Sequence, residues 1–508
     1  MIAVTESAKE LRAAFGDGSI YFQVGSVQSE QQQVGLAGDS MNSKVLRSVL
    51  VFFFALSPLA ARAQNDVSLW LTNSDRSALF QQQAPPLPLA SAPSTNQIID
   101  VNVAKTYQTM DGFGFALTGG SAQLIMRMDP VKRADLLHEL FAVDGNNIGV
   151  SYLRLTVGAS DMNDHVFSYD DLPEGQTDTG MAKFSLDPDK ADVIPVMKQI
   201  LAINPQIKIL ASPWSAPLWM KTSGVARGGV LKPEYFSAYA DYFVKYIEGM
   251  KAEGIPIDTL TVQNEPLNEK NTPSMLMLES ELDLFIKDNL GPAFKKAGIK
   301  TKIVLYDHNL DHPLYPLSIL RDPAANKYVD GTGFHLYGGT VDAMTQVHDE
   351  FPRKNLYFTE QSVTDRRGGG AAMNVSRPVS RIMIGVSRNW SKNILLWNLA
   401  ADPNAGPHTN DGGCTGCTGA ITIDGDAVTR NIAYYTVAHA SKFVRPGSVR
   451  IDSNTLDPLP NVAFKTPDGK RVLIVANVSD SPQKFDVREG TKVFTASLNA
   501  GSVGTYVW

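Results

Sequence analysis

Thr259-Leu260-Thr261-Val262-Gln263-Asn264-Glu265-Pro266 is a short apolar, β-branched run that ends in a carboxylate. Asn355-Leu356-Tyr357-Phe358-Thr359-Glu360-Gln361-Ser362 repeats the pattern far downstream. Runs of four to six such residues read as buried strands. A (β/α)8 barrel carries its chemistry at the C-terminal ends of its strands, so both glutamates are predicted on one rim. Two carboxylates facing each other across a pocket are what cleavage of a glycosidic bond requires.

Working outward from these runs, strand-like segments alternate with helical ones. Eight strands are predicted, at 112–117, 150–155, 207–211, 259–263, 302–306, 331–335, 356–359 and 394–398. Between the third and fourth, Phe236, Ala240, Phe243, Ile247 and Met250 fall at helical spacing, with Pro233 near the start and Gly254 at the close. Eight strands separated by helices give an α/β fold of the TIM-barrel type. After Ala433 to Phe443, read as a last helix, the chain turns into short strands at 462–465, 472–478, 484–487, 493–498 and 505–508. With strands at 67–71 and 98–103 they are expected to build a β-sandwich flanking the barrel. The expected division is 64–108 for N-terminal strands and linker, 109–432 for the barrel, and 433–508 for the last helix and C-terminal sandwich.

The N-terminus reads as an export signal. Met41 to Arg47 is short and basic, Val49 to Leu56 is unbroken and apolar, and Ala61-Arg62-Ala63 fits a small-residue cleavage site. Residues 41–63 are therefore expected to be a signal peptide and 1–40 to precede the true start, giving an exported, periplasmic or secreted protein. The apolar run is too short to span a bilayer, so no integral membrane segment is expected after cleavage. The net charge of −6, without a basic stripe, argues against a nucleic-acid partner. Cys414 and Cys417 are the two cysteines, in a Gly-rich loop. A structural zinc site needs four ligands, so a local disulfide in an exported protein is the better reading of the pair. No metal or cofactor is expected.

The predicted strand ends carry Arg154, Asp161, Trp214, Asn264, Glu265, His335, Tyr337, Glu360 and Trp397. Together these describe a sugar pocket: carboxylates for the bond, Trp faces for pyranose C–H groups, and polar groups for hydroxyls. Glu265 suits the general acid/base, held protonated at rest by the second carboxylate. Glu360 suits the nucleophile, kept ionised by hydrogen bonds and a cation such as Arg154. Tyr337 is placed to donate into the same cluster, and Asn264 to meet a sugar 2-hydroxyl. Asp307 and His308 read more weakly, as residues that satisfy loop amides. Gly112-Phe113-Gly114 lacks the spacing of a phosphate loop and implies close backbone approach.

At these residues the chain resembles glycoside hydrolase family 30, the group that contains glucosylceramidase (acid β-glucosidase), from residue 98 to 508. The resemblance rests on Asp111-Gly112-Phe113-Gly114, Arg154 through Asp161, Ala211 through Pro217, Asn264-Glu265-Pro266, Thr359-Glu360, Trp397 through Ala400, Ser441 through Ser448, and Tyr506-Val507-Trp508. It implies a barrel with a side β-sandwich, retention of anomeric configuration, no metal, Glu265 as acid/base and Glu360 as nucleophile. It also implies a −1 sugar held by Asp161, Trp214, Asn264 and Trp397, and less directly by Arg154, His335 and Tyr337. Leu396 stands where animal glucosylceramidases carry an acidic residue, and the Cys414/Cys417 pair resembles bacterial members. The expectation is a retaining β-glucosidase of glucosylceramidase type acting on a carbohydrate or glycolipid. The alternatives are a β-xylosidase, β-fucosidase or β-1,6-glucanase on the same scaffold, or a non-catalytic carbohydrate-binding protein.

Overall fold

The computed structural model of the chain describes residues 66–90, 95–364 and 373–508. The expected leader and signal peptide lie outside the described residues. Eight strands close into a barrel: Gly112–Leu117, Tyr152–Thr156, Lys208–Ser212, Thr259–Thr261, Lys302–Asn309, Val329–His335, Asn355–Glu360 and Ser391–Leu396. Each pairs parallel with its sequence neighbours, and Ser391–Leu396 closes the ring on Gly112–Leu117. These strands are buried on both faces, which is why they read as apolar runs rather than alternating ones. Gly114 lets two of them meet, since a Cβ there would lie 1.8 Å from the Tyr152 carbonyl oxygen. The helix after the third strand begins as a 3₁₀ turn at Pro233–Tyr235 and continues as an α-helix over Phe236–Ala252, with Phe236, Ala240, Phe243, Ile247 and Met250 on its buried side.

Arg154, expected at a strand end, lies mid-strand and fully buried. The loop after the eighth strand also holds a small sheet absent from the sequence reading, formed by Ala400–Ala401, Ile421–Asp424 and Ala427–Arg430. Its strands of two to four residues are too short to leave a periodic signal.

The flanking β-structure is one ten-stranded sheet that folds over through its longest strand, Gln97–Thr109. The first half of that strand runs parallel to Gln483–Glu489, and the second half runs antiparallel to Val449–Ser453. Val67, Ile99, Leu473, Val475, Phe485 and Leu498 meet between the two layers. Along Arg471–Ala476, the alternate residues Val472, Ile474 and Ala476 join the barrel's own core instead. One layer is thus buried on both sides, and each large side chain there contributes roughly 1.5–3 kcal/mol. The Pro-containing stretch read as a linker supplies two edge strands, Gln81–Gln82 and Leu87–Pro88.

Candidate active site

Arg154 is the centre of the barrel's polar interior. Its Nη1 donates to Glu360 Oε2 at 2.5 Å, and its Nη2 donates to Asn264 Oδ1 at 2.7 Å and Asp307 Oδ2 at 2.8 Å. The guanidinium lies 4.7 Å from the Trp214 ring centroid and 5.9 Å from that of Trp397. Asp307 is the second hub, accepting also from Ser212 Oγ and Thr261 Oγ1 at 2.7 Å and bonded to His335 Nε2 at 3.1 Å. Burial opposes its charge, but Arg154 and His335 hold the carboxyl well below the usual range. Asp307 sits at a backbone irregularity where it and Tyr306 take left-handed φ of 60° and 72°. That conformation costs energy in a non-glycine residue and persists where the surroundings fix it.

Glu265 and Glu360 each bring a carboxylate oxygen within 4.8 Å of the other and of a His335 ring nitrogen. Glu265 bonds His335 Nδ1 at 3.2 Å and accepts from Asn268 Nδ2 at 2.7 Å. Glu360 Oε1 accepts from the Tyr337 hydroxyl at 2.9 Å, and that hydroxyl in turn accepts from the Ser362 amide. Burial would neutralise His335, yet Glu360, Asp307 and Glu265 raise it to about 9. Burial likewise works to raise Glu265, and the His335 hydrogen bond and charge overcome it, bringing the carboxyl to about 2. Burial holds Glu360 above its ordinary value, aided by Glu265 and Asp307 and opposed by His335 and Arg154. The shifts run in opposite directions, down at Glu265 and up at His335, so they favour the proton on His335, one hydrogen bond away, and the group titrates as a coupled cluster. The same three residues are spaced to hold a cation, but Arg154 already presents positive charge to Glu360.

A cavity of roughly 640 Å³ opens over these carboxylates, lined by Asp161, Glu265, His308, Tyr337, Glu360 and Trp397 among others. Asp161 accepts from Asn271 at 3.3 Å through one oxygen, and the other, Oδ1, has no partner. Burial, then the charge of Glu360, pushes its carboxyl up to about 7. Trp214 is buried against Trp397, with ring centroids 5.3 Å apart. Cys414 and Cys417 are disulfide-bonded, line the cavity, and cluster with both indoles. Arg154, Trp214, Asn264 and His335 form the buried layer behind this wall. All nine residues singled out at the strand ends thus converge.

The chain matches the glycosyl hydrolase family 30 TIM-barrel domain over residues 110–444 and the family's β-sandwich domain over residues 447–506. It belongs to glycoside hydrolase family 30. It is 31% identical to an endo-1,6-β-D-glucanase of Aspergillus fumigatus, over 87% of this chain and 94% of the relative. It is 28% identical to the lysosomal acid glucosylceramidase of Mus musculus, over 82% of this chain and 85% of the relative. Among solved structures, an endo-β1,6-glucanase superposes with a TM-score of 0.80 at 35% identity, covering 87% of this chain and 99% of its own. This family 30 glycosidase is therefore more similar to the β-1,6-glucanases than to the glucosylceramidase that the sequence reading put first.

One residue of this glycosidase reads more weakly in the sequence than it stands in the structure. Asp307 is no loop-amide partner; it ties Arg154 to His335 beneath both glutamates. A carboxylate at the end of the fifth barrel strand was the available signal. Asn268 and Asn271 follow Glu265 in a polar loop whose path a sequence pattern does not give, and they hold Glu265 and Asp161 respectively.

Proposed function

We propose that the protein is an exported, retaining β-1,6-glucanase. The observation that carries retention is the spacing of Glu265 and Glu360, whose nearest oxygens lie within 4.8 Å. Retaining glycosidases hold their carboxyl groups about 5–5.5 Å apart, whereas inverting ones leave about 6.5–9.5 Å for a water. Glu360 attacks the anomeric carbon. Arg154 and Tyr337 fix its two oxygens and favour the ionised form against burial. Glu265 protonates the departing oxygen. The proton reaches it from His335 along their hydrogen bond, which leaves the cluster's net charge unchanged. Water then cleaves the glucosyl–Glu360 ester with Glu265 as base.

Asp161 and Trp397 meet the hydroxyls of the −1 sugar, with Trp214, Asn264 and His335 supporting the wall. The β-1,6 linkage is supported by the resemblance to the named endo-1,6-β-D-glucanases in sequence and to an endo-β1,6-glucanase in structure. Action on glucosylceramide is the second reading, supported by the glucosylceramidase relatives at 28–30% identity. Export rests on the pattern of residues 41–63 and on the disulfide. Among the described residues no helix is long and apolar enough to cross a membrane. The test is turnover of β-1,6-, β-1,3- and β-1,4-linked gluco-oligosaccharides, glucosylceramide and aryl β-glycosides side by side. Fastest hydrolysis of the β-1,6 oligosaccharide is expected, and preference for any other linkage overturns the reading.

A further inference from the structure

His308 is buried in the cavity wall, only 7% exposed, and among the described residues its Nδ1 is shut from solvent without a hydrogen-bond partner. Its ring contacts are aromatic, with Tyr306 at 5.8 Å and His335 at 6.4 Å between centroids. A buried imidazole without a partner is costly to keep, and the cavity is the side on which a partner can arrive. The position is rigid, because the preceding Asp307 is fixed by its hydrogen bonds and its carbonyl accepts from the Glu265 amide at 3.0 Å. That same contact sets His308 on the Glu265 side of the site. Of the two carboxylates it is Glu265 whose charge acts on this ring, and burial keeps the imidazole neutral, at about 4. A neutral imidazole has one donor and one acceptor nitrogen, which suits a sugar hydroxyl.

We propose that His308 binds a hydroxyl of the leaving glucosyl unit and is a specificity residue on the leaving-group side. This rests on the reading of Glu265 as the acid, since the departing sugar sits beside the group that protonates it. A β-1,6 leaving group departs through a primary oxygen on a methylene arm, so its ring stands off from Glu265. A fixed hydrogen bond there orients the arm.

The test compares the parent with His308→Ala on a β-1,6-linked gluco-oligosaccharide and on 4-nitrophenyl β-glucoside, whose leaving group has no sugar hydroxyl. We expect kcat/KM on the oligosaccharide to fall about ten- to a hundredfold, at least ten times more than on the aryl glucoside. His308→Gln, which keeps a donor and an acceptor, should recover part of the loss. If His308→Ala does not fold, His308→Leu, which fills the space without a hydrogen-bonding atom, gives the same comparison. Equal loss on both substrates, or loss on neither, overturns the proposal. If the parent prefers a gluco-oligosaccharide of another linkage, the β-1,6 reading fails and His308 is judged on that substrate against the same aryl glucoside. Cleavage of no oligosaccharide at all overturns both.

Discussion

Replacing Asp307 by Asn keeps the shape of the buried hub and removes its charge. Asp307 accepts from Arg154, Ser212 and Thr261 at 2.7–2.8 Å and bonds His335 at 3.1 Å. In the variant, Arg154 loses one of its two anionic partners in a site with no exposure, and an amide donor faces groups that themselves donate. Removing one member of a buried ion pair costs about 3–5 kcal/mol. His335 provides a second readout. Its rise from 6.5 to about 9, net of the burial that opposes it, corresponds to roughly 3 kcal/mol in favour of the charged ring. A raised pKa means this stabilisation is complete below about pH 6.5 and lost as pH climbs through about 9. Asp307→Asn removes one of those carboxylates, so the basic limb of kcat/KM should move from near 9 toward 6.5. Thermal unfolding and pH–rate profiles of both proteins measure the two effects. An Asp307→Asn variant of parental stability, with an unmoved basic limb, would refute the assignment of Asp307 as the hub.

Three further outcomes are expected. Glu265→Ala should retain activity on aryl glucosides with good leaving groups and lose it steeply on alkyl glucosides, because only the latter need protonation; a Brønsted plot over aryl glucosides checks this. Asp161→Ala should cost about 2–4 kcal/mol of transition-state binding, read from kcat/KM on a β-glucoside, and an unchanged kcat/KM would remove Asp161 from the −1 site. Reducing the Cys414–Cys417 bond, which packs against Trp397, should raise KM more than it lowers kcat, and reoxidation should restore both.

The barrel was legible because its strands are buried on both faces and leave continuous apolar runs such as Ile303-Val304-Leu305. The site was legible because polar residues that interrupt or end such runs, among them Arg154, His335 and Glu360, stand out against them. Asp307 carried the same signal, but its positive φ and the charge it shares with His335 arise only when the fifth and sixth strands come together. The pull of His335 on the Glu265 proton was illegible for a related reason. A pair of carboxylates alone predicts one raised pKa, and His335 between them changes which group holds the proton. The loops Asn268 to Thr272 and Gly412 to Cys417 border the cavity, and their paths depend on contacts between distant segments, among them the Thr409 bond to the Thr272 carbonyl.

The most direct test of the central claim is mass spectrometry of the enzyme inactivated by an activated 2-deoxy-2-fluoro-β-glucoside. The fluorine slows both steps and the good leaving group favours the first, so the covalent intermediate accumulates. One 2-fluoroglucosyl adduct per chain is expected on the peptide containing Glu360, with β-configured product forming first in the uninhibited reaction. An adduct on Glu265, or a first-formed α-anomer with no adduct, would contradict that claim.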